Sequence, residues 1–338
     1  MARALIALSG GVDSSVAAYL MKKVGYDCVG ASLRLLDSAD TADAKSVAEA
    51  LNIPFYAFDM RKEFKNEIIN EFISAYENGL TPNPCVMCNR YFKFGYLYDK
   101  AKELGCDYIV TGHYAKIVEQ NGEFSLKKSQ NSAKDQSYFL YSIRGEMLPK
   151  IIFPLEDYSK DEIRKIAADL GFSTASKKDS QDICFIPNGD YAAVIESLTG
   201  KTYKKGDFVD LNGKRLGTHS GIIRYTIGQR KGLGIALGKP MFVGKKDAEA
   251  NTVTLCDDNQ LYADNLVAKD FNWLKKPDGV EFSCKARIRY RHIEQPATVT
   301  LDDGKVYIKF NEPQRAITPG QSVVLYDGDI VLGGGIIE

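Results

Sequence analysis

Apolar positions follow two different spacings along this chain. Up to about residue 115, short apolar runs alternate with stretches whose apolar positions recur every three or four residues. The runs Leu5–Leu8, Tyr26–Leu33, Pro54–Asp59 and Tyr108–Thr111 read as buried strands. The spacing between them predicts helices over Asp13–Val24, Thr41–Leu51, Glu63–Glu77 and Phe92–Leu104. Strands separated by helices imply a parallel sheet covered on both faces, whose ligands bind beyond the strand C-termini. Ser9 and the pair Gly112-His113 follow two of these strands. Residues 115 to about 200 read as helical and connective, with Ser159 and Glu162 forming a capping box at one helix start. From about 201 the helical spacing gives way to short alternating segments. Asn212-Gly213, Asp278-Gly279, Asp303-Gly304 and Asp327-Gly328 punctuate them as hairpin turns. The expected organisation is an α/β domain over 1–200, then two small β-rich domains over 201–266 and 267–338.

The first strand runs into Ser9-Gly10-Gly11, and a helix opens at Val12-Asp13-Ser14-Ser15. Glycines let backbone approach an anion, and a helix's first turn presents unpaired N–H groups to it. The loop matches neither G-x-x-x-x-G-K-[ST] nor G-x-G-x-x-G. Its S-G-G-x-D-S resembles the pyrophosphate loop of the N-type ATP pyrophosphatases. Five specified positions of six at a strand-to-helix junction favour that over a plain glycine turn.

Composition narrows the class. A length of 338 residues points to two or three domains, and 44% hydrophobic with 26% charged residues is ordinary for a soluble protein. Zero net charge argues against a uniformly basic coat. No apolar run reaches membrane-spanning length, and the N-terminal apolar segment is too short for a signal peptide, so the expected location is the cytoplasm. Lasting disulfides are rare there, so the seven cysteines need another account. Cys85 and Cys88 lie in Asn78–Arg90, where Gly79, Pro82 and Pro84 predict a loop. A C-x-x-C is commonly half a zinc site, but no second pair or C-x-x-H completes one. A thioredoxin-like pair is the other reading, and a Pro-rich loop is a poor redox-helix start. Cys184, taken alone, reads as a buried structural thiol.

Two basic stretches stand in the β-rich part. Arg224–Gly232 is basic, glycine-rich and carries an aromatic. Arg287, Arg289 and Arg291 alternate, so a strand would align them on one face that gains from a polyanion opposite. A solvated polar face is the alternative for either stretch alone; together they favour RNA.

Eight blocks, in order, resemble the bacterial tRNA-specific 2-thiouridylase family: SGGVDSS at 9–15, TPNPCVMCN at 81–89, TGHYA at 111–115, KDQSYFLY at 134–141, ICFI at 183–186, YTIGQRKGLG at 225–234, RIRYR at 287–291 and TPGQ at 318–321. The resemblance implies an ATP pyrophosphatase (adenine nucleotide alpha hydrolase-like) α/β domain followed by two β domains that help hold tRNA. It implies 2-thiolation of the wobble uridine. Ala7, Leu8, Ser9, Gly10, Gly11, Val12, Asp13 and Ser14 would hold ATP, with Leu33 and Gly112 lining the adenosine pocket. Cys88 would be the nucleophile and Cys184 the carrier of persulfide sulfur. Asn83, Pro84 and Cys85 would surround the target base. His113, Lys134, Asp135, Gln136, Arg289, Tyr290 and Gln321 would contact tRNA. Mg²⁺ and a sulfur donor, either a protein or a sulfide source, complete the set.

The chemistry is coherent. The O2 of uracil leaves poorly; adenylation converts it to AMP, and helix N–H groups with Mg²⁺ suit the charge on pyrophosphate. Asp13 is the nearest carboxylate for a metal or for positioning. Sulfur then attacks C2. Its thiolates need electropositive surroundings; Lys177 and Lys178 are near Cys184 in sequence, and Arg90 and Lys93 near Cys88. The family commonly has Asp where this chain has Cys85. Cys85, Cys88 and Cys184 would suit three irons of a 4Fe-4S cluster with the fourth open to hydrosulfide. Cys85 tilts the reading toward the cluster, with the persulfide route as its rival. Two other function classes stand as alternatives: a pyrophosphatase-loop synthetase that adenylates for amidation, and a non-catalytic RNA-binding protein.

Overall fold

A computed structural model describes residues 1–131, 134–177 and 182–338. Strands β1 (Arg3–Ala7), β2 (Asp27–Arg34), β3 (Phe55–Asp59), β4 (Tyr108–Val110) and, further on, the short Ile151–Ile152 form a parallel sheet. Its order is β3, β2, β1, β4, then Ile151–Ile152. The chain leaves β1 toward β2 and later returns to β4 on β1's other side, so β1 and β4 flank a topological switch point, where such sheets open a crevice. Leu5, Ile6, Val29 and Ile109 are fully buried, as central parallel strands require. Helix α1 (Val12–Lys23) buries Val16, Ala17 and Met21 against one face, and α2 (Ala42–Ala50) packs beside it.

Two longer helices each contain a π-helical turn. One runs through Arg61–Phe64, π-helical Lys65–Ile69 and Asn70–Glu77. The other runs through Pro84–Cys88, π-helical Asn89–Tyr96 and Leu97–Glu103. The loop expected over Asn78–Arg90 therefore ends early. Pro84 starts a helix because its fixed φ and missing N–H are harmless in a first turn.

Residues 115–128, expected to be helical or connective, form a hairpin of β5 (Ala115–Gln120) and β6 (Glu123–Lys128) turned by Asn121 and Gly122 at positive φ. This hairpin leaves the α/β domain and extends the C-terminal sheet by a single β6 pairing, Lys127 with Ile330. With Ile151–Ile152 counted as β7, the central β unit comprises β8 (Gly206–Val209), β9 (Arg215–His219), β10 (Phe242–Asp247) and β11 (Thr252–Cys256). The last unit comprises β12 (Tyr262–Trp273), β13 (Glu281–Arg287), β14 (Gln295–Asp302), β15 (Lys305–Arg315), β16 (Ser322–Asp327) and β17 (Ile330–Ile337). It closes into a barrel because β12 pairs with both β15 and β17.

The expected boundary between 266 and 267 falls inside β12. Asp303-Gly304 is a two-residue hairpin with both φ positive, as that turn demands. Asp278-Gly279 is not a hairpin: β12 and β13 are not paired neighbours. The capping box at Ser159 is present, with both reciprocal bonds, opening the helix Lys160–Asp169.

Candidate active site

Two half-sites meet at the switch point. In the first, Gly10 takes φ +74, and a Cβ there would press on Asp43 at 3.3 Å. Gly11 caps α1 with no side-chain bond, leaving first-turn N–H groups for an anion. Ser14 Oγ donates to the Gly11 carbonyl at 3.0 Å and accepts from the Ser9 N–H at 3.2 Å, bracing the loop from inside. Leu8 and Val12 are buried beneath it, Ala7 ends β1, and Leu33 lies near the end of β2 between two apolar clusters. Gly112 must be glycine: an added Cβ would stand 2.8 Å from the Ser14 nitrogen.

Asp13 is not open to a metal. Its carboxylate accepts from Lys160 Nζ at 2.7 and 2.8 Å and from the Tyr114 hydroxyl at 2.7 Å. These residues do not fit a protein-held Mg²⁺, and Asp13 instead orients a lysine beside the anion loop. Lys160 and Tyr114 were missed in sequence. Tyr114 stood in the TGHYA block; Lys160 was hidden as an ordinary first-turn residue of a capped helix.

The second half-site is the thiol helix that begins at Pro84, with Asn83 at its N-cap. Both β domains hold its entry. Gln321 Nε2 donates to the carbonyls of Thr81 at 2.8 Å and Pro82 at 3.4 Å, and Thr81 N–H donates to Pro319. Lys246 Nζ donates to the Leu80 carbonyl at 3.4 Å and to that of Tyr225 at 2.8 Å. Gln321, expected to touch tRNA, has its amide occupied in placing this helix.

Cys85, Cys88 and Cys184 are free thiols within electrostatic reach of one another. Burial pushes Cys88 up to about 12; Lys93 opposes this, while charge on Cys184 or Cys85 would raise it further. Cys85 is likewise raised by burial and lowered by Lys93. Cys184 is exposed by its overall surface area, yet neighbouring atoms still raise its thiol, with Cys85 adding and Lys93 opposing. Among the described residues no three His, Cys, Asp or Glu side chains are placed to hold one metal ion. A 4Fe-4S cluster would set each of Cys85, Cys88 and Cys184 on its own iron, so this bears on a single-ion site and not on the cluster.

The sequence-near cations divide. Lys93 acts on all three thiols. Arg90 lies over the Tyr91 ring, and Lys177 is paired with Asp43, so neither serves the thiols as expected. Lys178 lies outside the described residues.

His113 links the halves. Its Nδ1 is 2.7 Å from Thr111 Oγ1 and its Nε2 is 3.3 Å from Lys93 Nζ. Burial and then Lys93 push its pKa well below the ordinary histidine value.

Lys134–Gln136 and Arg287–Arg291, expected to bind RNA, meet at the junction of hairpin and barrel, but not as an aligned cationic face. The strand ends at Arg287, so Arg289 and Arg291 leave its register. Arg287 pairs with buried Asp135 at 3.5 Å. Asp135 also accepts from Ser129 and Ser137 N–H groups and the Ser137 hydroxyl, so it is an internal strut and not a tRNA contact. Burial raises its pKa against those bonds and Arg287. Gln136 Oε1 accepts from the Tyr114 N–H at 3.0 Å, and the Arg289 guanidinium is pinned to the Arg315 and Ala316 carbonyls. Tyr290 leans on Phe139 at 4.5 Å, with Lys134, Arg287 and Arg291 close enough to act on it. In the central unit, Arg224 pairs with Glu196 at 2.6 Å, while Arg230 and Lys231 are exposed.

Comparison with known proteins settles the family. A model described as "tRNA methyl transferase HUP domain" matches residues 2–188, a "tRNA methyl transferase PRC-barrel domain" 194–257 and an "Aminomethyltransferase beta-barrel domain" 263–337. The tRNA-specific 2-thiouridylase MnmA of Lachnoclostridium phytofermentans is 44% identical, covering 100% of this chain and 99% of the relative. The chain belongs to the tRNA-specific 2-thiouridylase family. The MnmA of Clostridioides difficile is 46% identical over 99% of this chain and 98% of its own length. A solved 4-thiouridine synthetase–RNA complex with bound ATP is 21% identical, covering 55% of this chain and 45% of that one with a TM-score of 0.39, too distant to bear on the site. Within the 2-thiouridylase family, the α/β, small-β and barrel order seen here is that of the three matched domain models.

Proposed function

We propose that this chain is an ATP-dependent tRNA-uridine 2-sulfurtransferase acting on the wobble uridine. The observation that carries the proposal is the physical continuity of the halves: thiols, Lys93, His113, Gly112, then Asp13 and Ser14 of the anion loop. Nucleotide activation and sulfur delivery therefore share one crevice.

In the first step uracil O2 attacks the α-phosphorus of ATP, the N3 proton is lost, and pyrophosphate departs. First-turn N–H groups of α1 and Lys160 face the charge that develops. Magnesium enters with the nucleotide, on its phosphates, as part of the substrate. In the second step the terminal sulfur of a Cys184 persulfide attacks C2 and AMP leaves. Cys88 thiolate then attacks Cys184 Sγ, which releases 2-thiouridine and leaves a Cys88–Cys184 disulfide. An external dithiol reduces that disulfide, and a persulfide donor reloads Cys184. The target base leaves its stack to reach this crevice, with Asn83, Pro84 and Cys85 at its thiol side. Lys134, Gln136, Arg289 and Tyr290 place the tRNA body against the junction of hairpin and barrel. These steps suit a cytoplasmic enzyme with access to tRNA and ATP, and among the described residues no helix is long and apolar enough to cross a membrane.

Methyl transfer, which two domain descriptions mention, has no use for a thiol trio or an adenylating loop. The deciding experiment is tRNA thiolation by protein purified anaerobically, with iron and sulfide measured in the same sample. Iron-free protein that thiolates supports the persulfide route. Activity that tracks bound iron overturns that route. Amide formation indifferent to Cys88→Ser overturns the function altogether.

A further inference from the structure

The thiol helix is not a uniform α-helix, and its irregularity has a consequence for charge. In an α-helix, residue 93 would stand about 140° around the axis from residue 88, facing away from the Cys88 side. From Asn89 to Tyr96 the helix is π-helical. A π-turn is wider, with i→i+5 bonding, so the fifth residue swings back toward the face of the first. Lys93 thereby turns toward the thiol side, within electrostatic range of Cys85, Cys88 and Cys184.

The lysine is also aimed. An ammonium only donates, so His113 Nε2 accepts from Lys93 at 3.3 Å. Nδ1 then carries the ring proton and donates to Thr111 Oγ1 at 2.7 Å. Phe94 and Phe153 flank the imidazole, each with its ring centre at 6.0 Å. A neutral imidazole in an apolar setting directs the ammonium without cancelling it. Among the described residues Lys93 makes no ion pair with a carboxylate, whereas Lys160 at the anion loop does. An uncompensated cation among three thiols has an evident counterpart: negatively charged sulfur.

We infer that Lys93, turned to the thiol side by the π-helical segment, is the cation that stabilises anionic sulfur as it passes from Cys184 to the activated base, and that His113 is its positioning residue. The inference rests on the thiolation reading. No bond forms or breaks at Lys93; it lowers the energy of the persulfide anion before attack and of the Cys88 thiolate that resolves the adduct.

The test uses the full chain with a tRNA transcript, ATP and Cys184 preloaded with persulfide. Lys93→Met is expected to slow single-turnover sulfur transfer about 100-fold, with KM for ATP and tRNA within about twofold of the parent. Lys93→Arg is expected to recover most of that loss. Peptide-resolved alkylation of Cys88 by iodoacetamide supplies a readout independent of catalysis, expected to fall about tenfold in Lys93→Met at pH 8. His113→Gln, which can still accept from Lys93, should lie closer to the parent than His113→Leu in both assays. A folded Lys93→Met protein that alkylates and transfers sulfur at parental rates overturns the inference. Should Lys93→Met fail to fold, the His113 pair decides, and identical behaviour of His113→Gln, His113→Leu and parent overturns it. A parent that never thiolates tRNA, yet whose Cys88 alkylation depends on Lys93, sinks the proposed function while leaving the lysine's effect on sulfur standing.

Discussion

The anion loop and the thiol site lie against each other, yet they are built in opposite ways. The loop is contiguous: Ser9 to Ser14 supplies its own brace, while Gly112, Tyr114 and Lys160 arrive from elsewhere. The thiol site gathers Cys85, Cys88 and Lys93 from one helix, Cys184 from a distant segment, and its supports from two further domains. The loop pairs its cation with Asp13; the thiol site leaves its cation without a carboxylate. The difference teaches how the two steps are separated. Pyrophosphate brings its own large negative charge, so a partly neutralised lysine suffices beside the N–H groups. A buried thiol sits well above its ordinary pKa, and only an unopposed positive charge draws it toward the anion.

The sharpest way to break this division of labour is to disable each half alone. Cys88→Ser is expected to abolish thiolation, at least about 10³-fold, while tRNA-dependent pyrophosphate release continues. Asp13→Asn is expected to lower pyrophosphate release about 10²-fold, since Lys160 loses its orienting partner; persulfide loading of Cys184, followed by mass spectrometry, should be untouched. Loss of both steps in either variant would show that the halves are not separable.

A weaker effect probes the junction on which the tRNA body is placed. Arg287→Met leaves Asp135 buried without its cation, which costs about 3 kcal/mol; a denaturant titration reads it, and an unchanged midpoint would deny the strut. Gln321→Ala removes two bonds to the thiol-helix entry. About 1 kcal/mol of stability and a several-fold loss of sulfur transfer are expected, with tRNA affinity nearly unchanged. A loss confined to tRNA binding would return Gln321 to the RNA interface.

The smallest effect concerns pH. His113 has a folded-state pKa well below 6.5 because burial and Lys93 oppose its protonation. Below about pH 6.5 the unfolded chain takes up a proton there that the folded protein refuses, so stability present above that pH is lost as pH falls toward the folded value. Melting curves between pH 7 and 5.5 should show this loss, and His113→Gln should shallow it.

Much of the α/β domain was legible because parallel strands and their helices leave long, unbroken apolar patterns. The first strands and helices lie within a few residues of their expected limits. The hairpin at 115–128 was not legible, because its residues pack on a barrel about two hundred positions later. The helix at Pro84 was obscured by prolines that ordinarily break helices but are harmless in a first turn.

Local sequence by itself determined the anion loop, since its chemistry lies within six consecutive residues, and it marked Cys88 and Cys184 as a pair through the family blocks. Only tertiary structure decided what surrounds them. Whether Asp13 stands free or holds a lysine, whether Cys184 comes within reach of Cys85 and Cys88, and whether Asp135 and Gln321 face RNA or brace the protein all depend on groups distant in the chain. Charge and hydrogen bonding act through space at a few ångströms. The fold alone sets those distances.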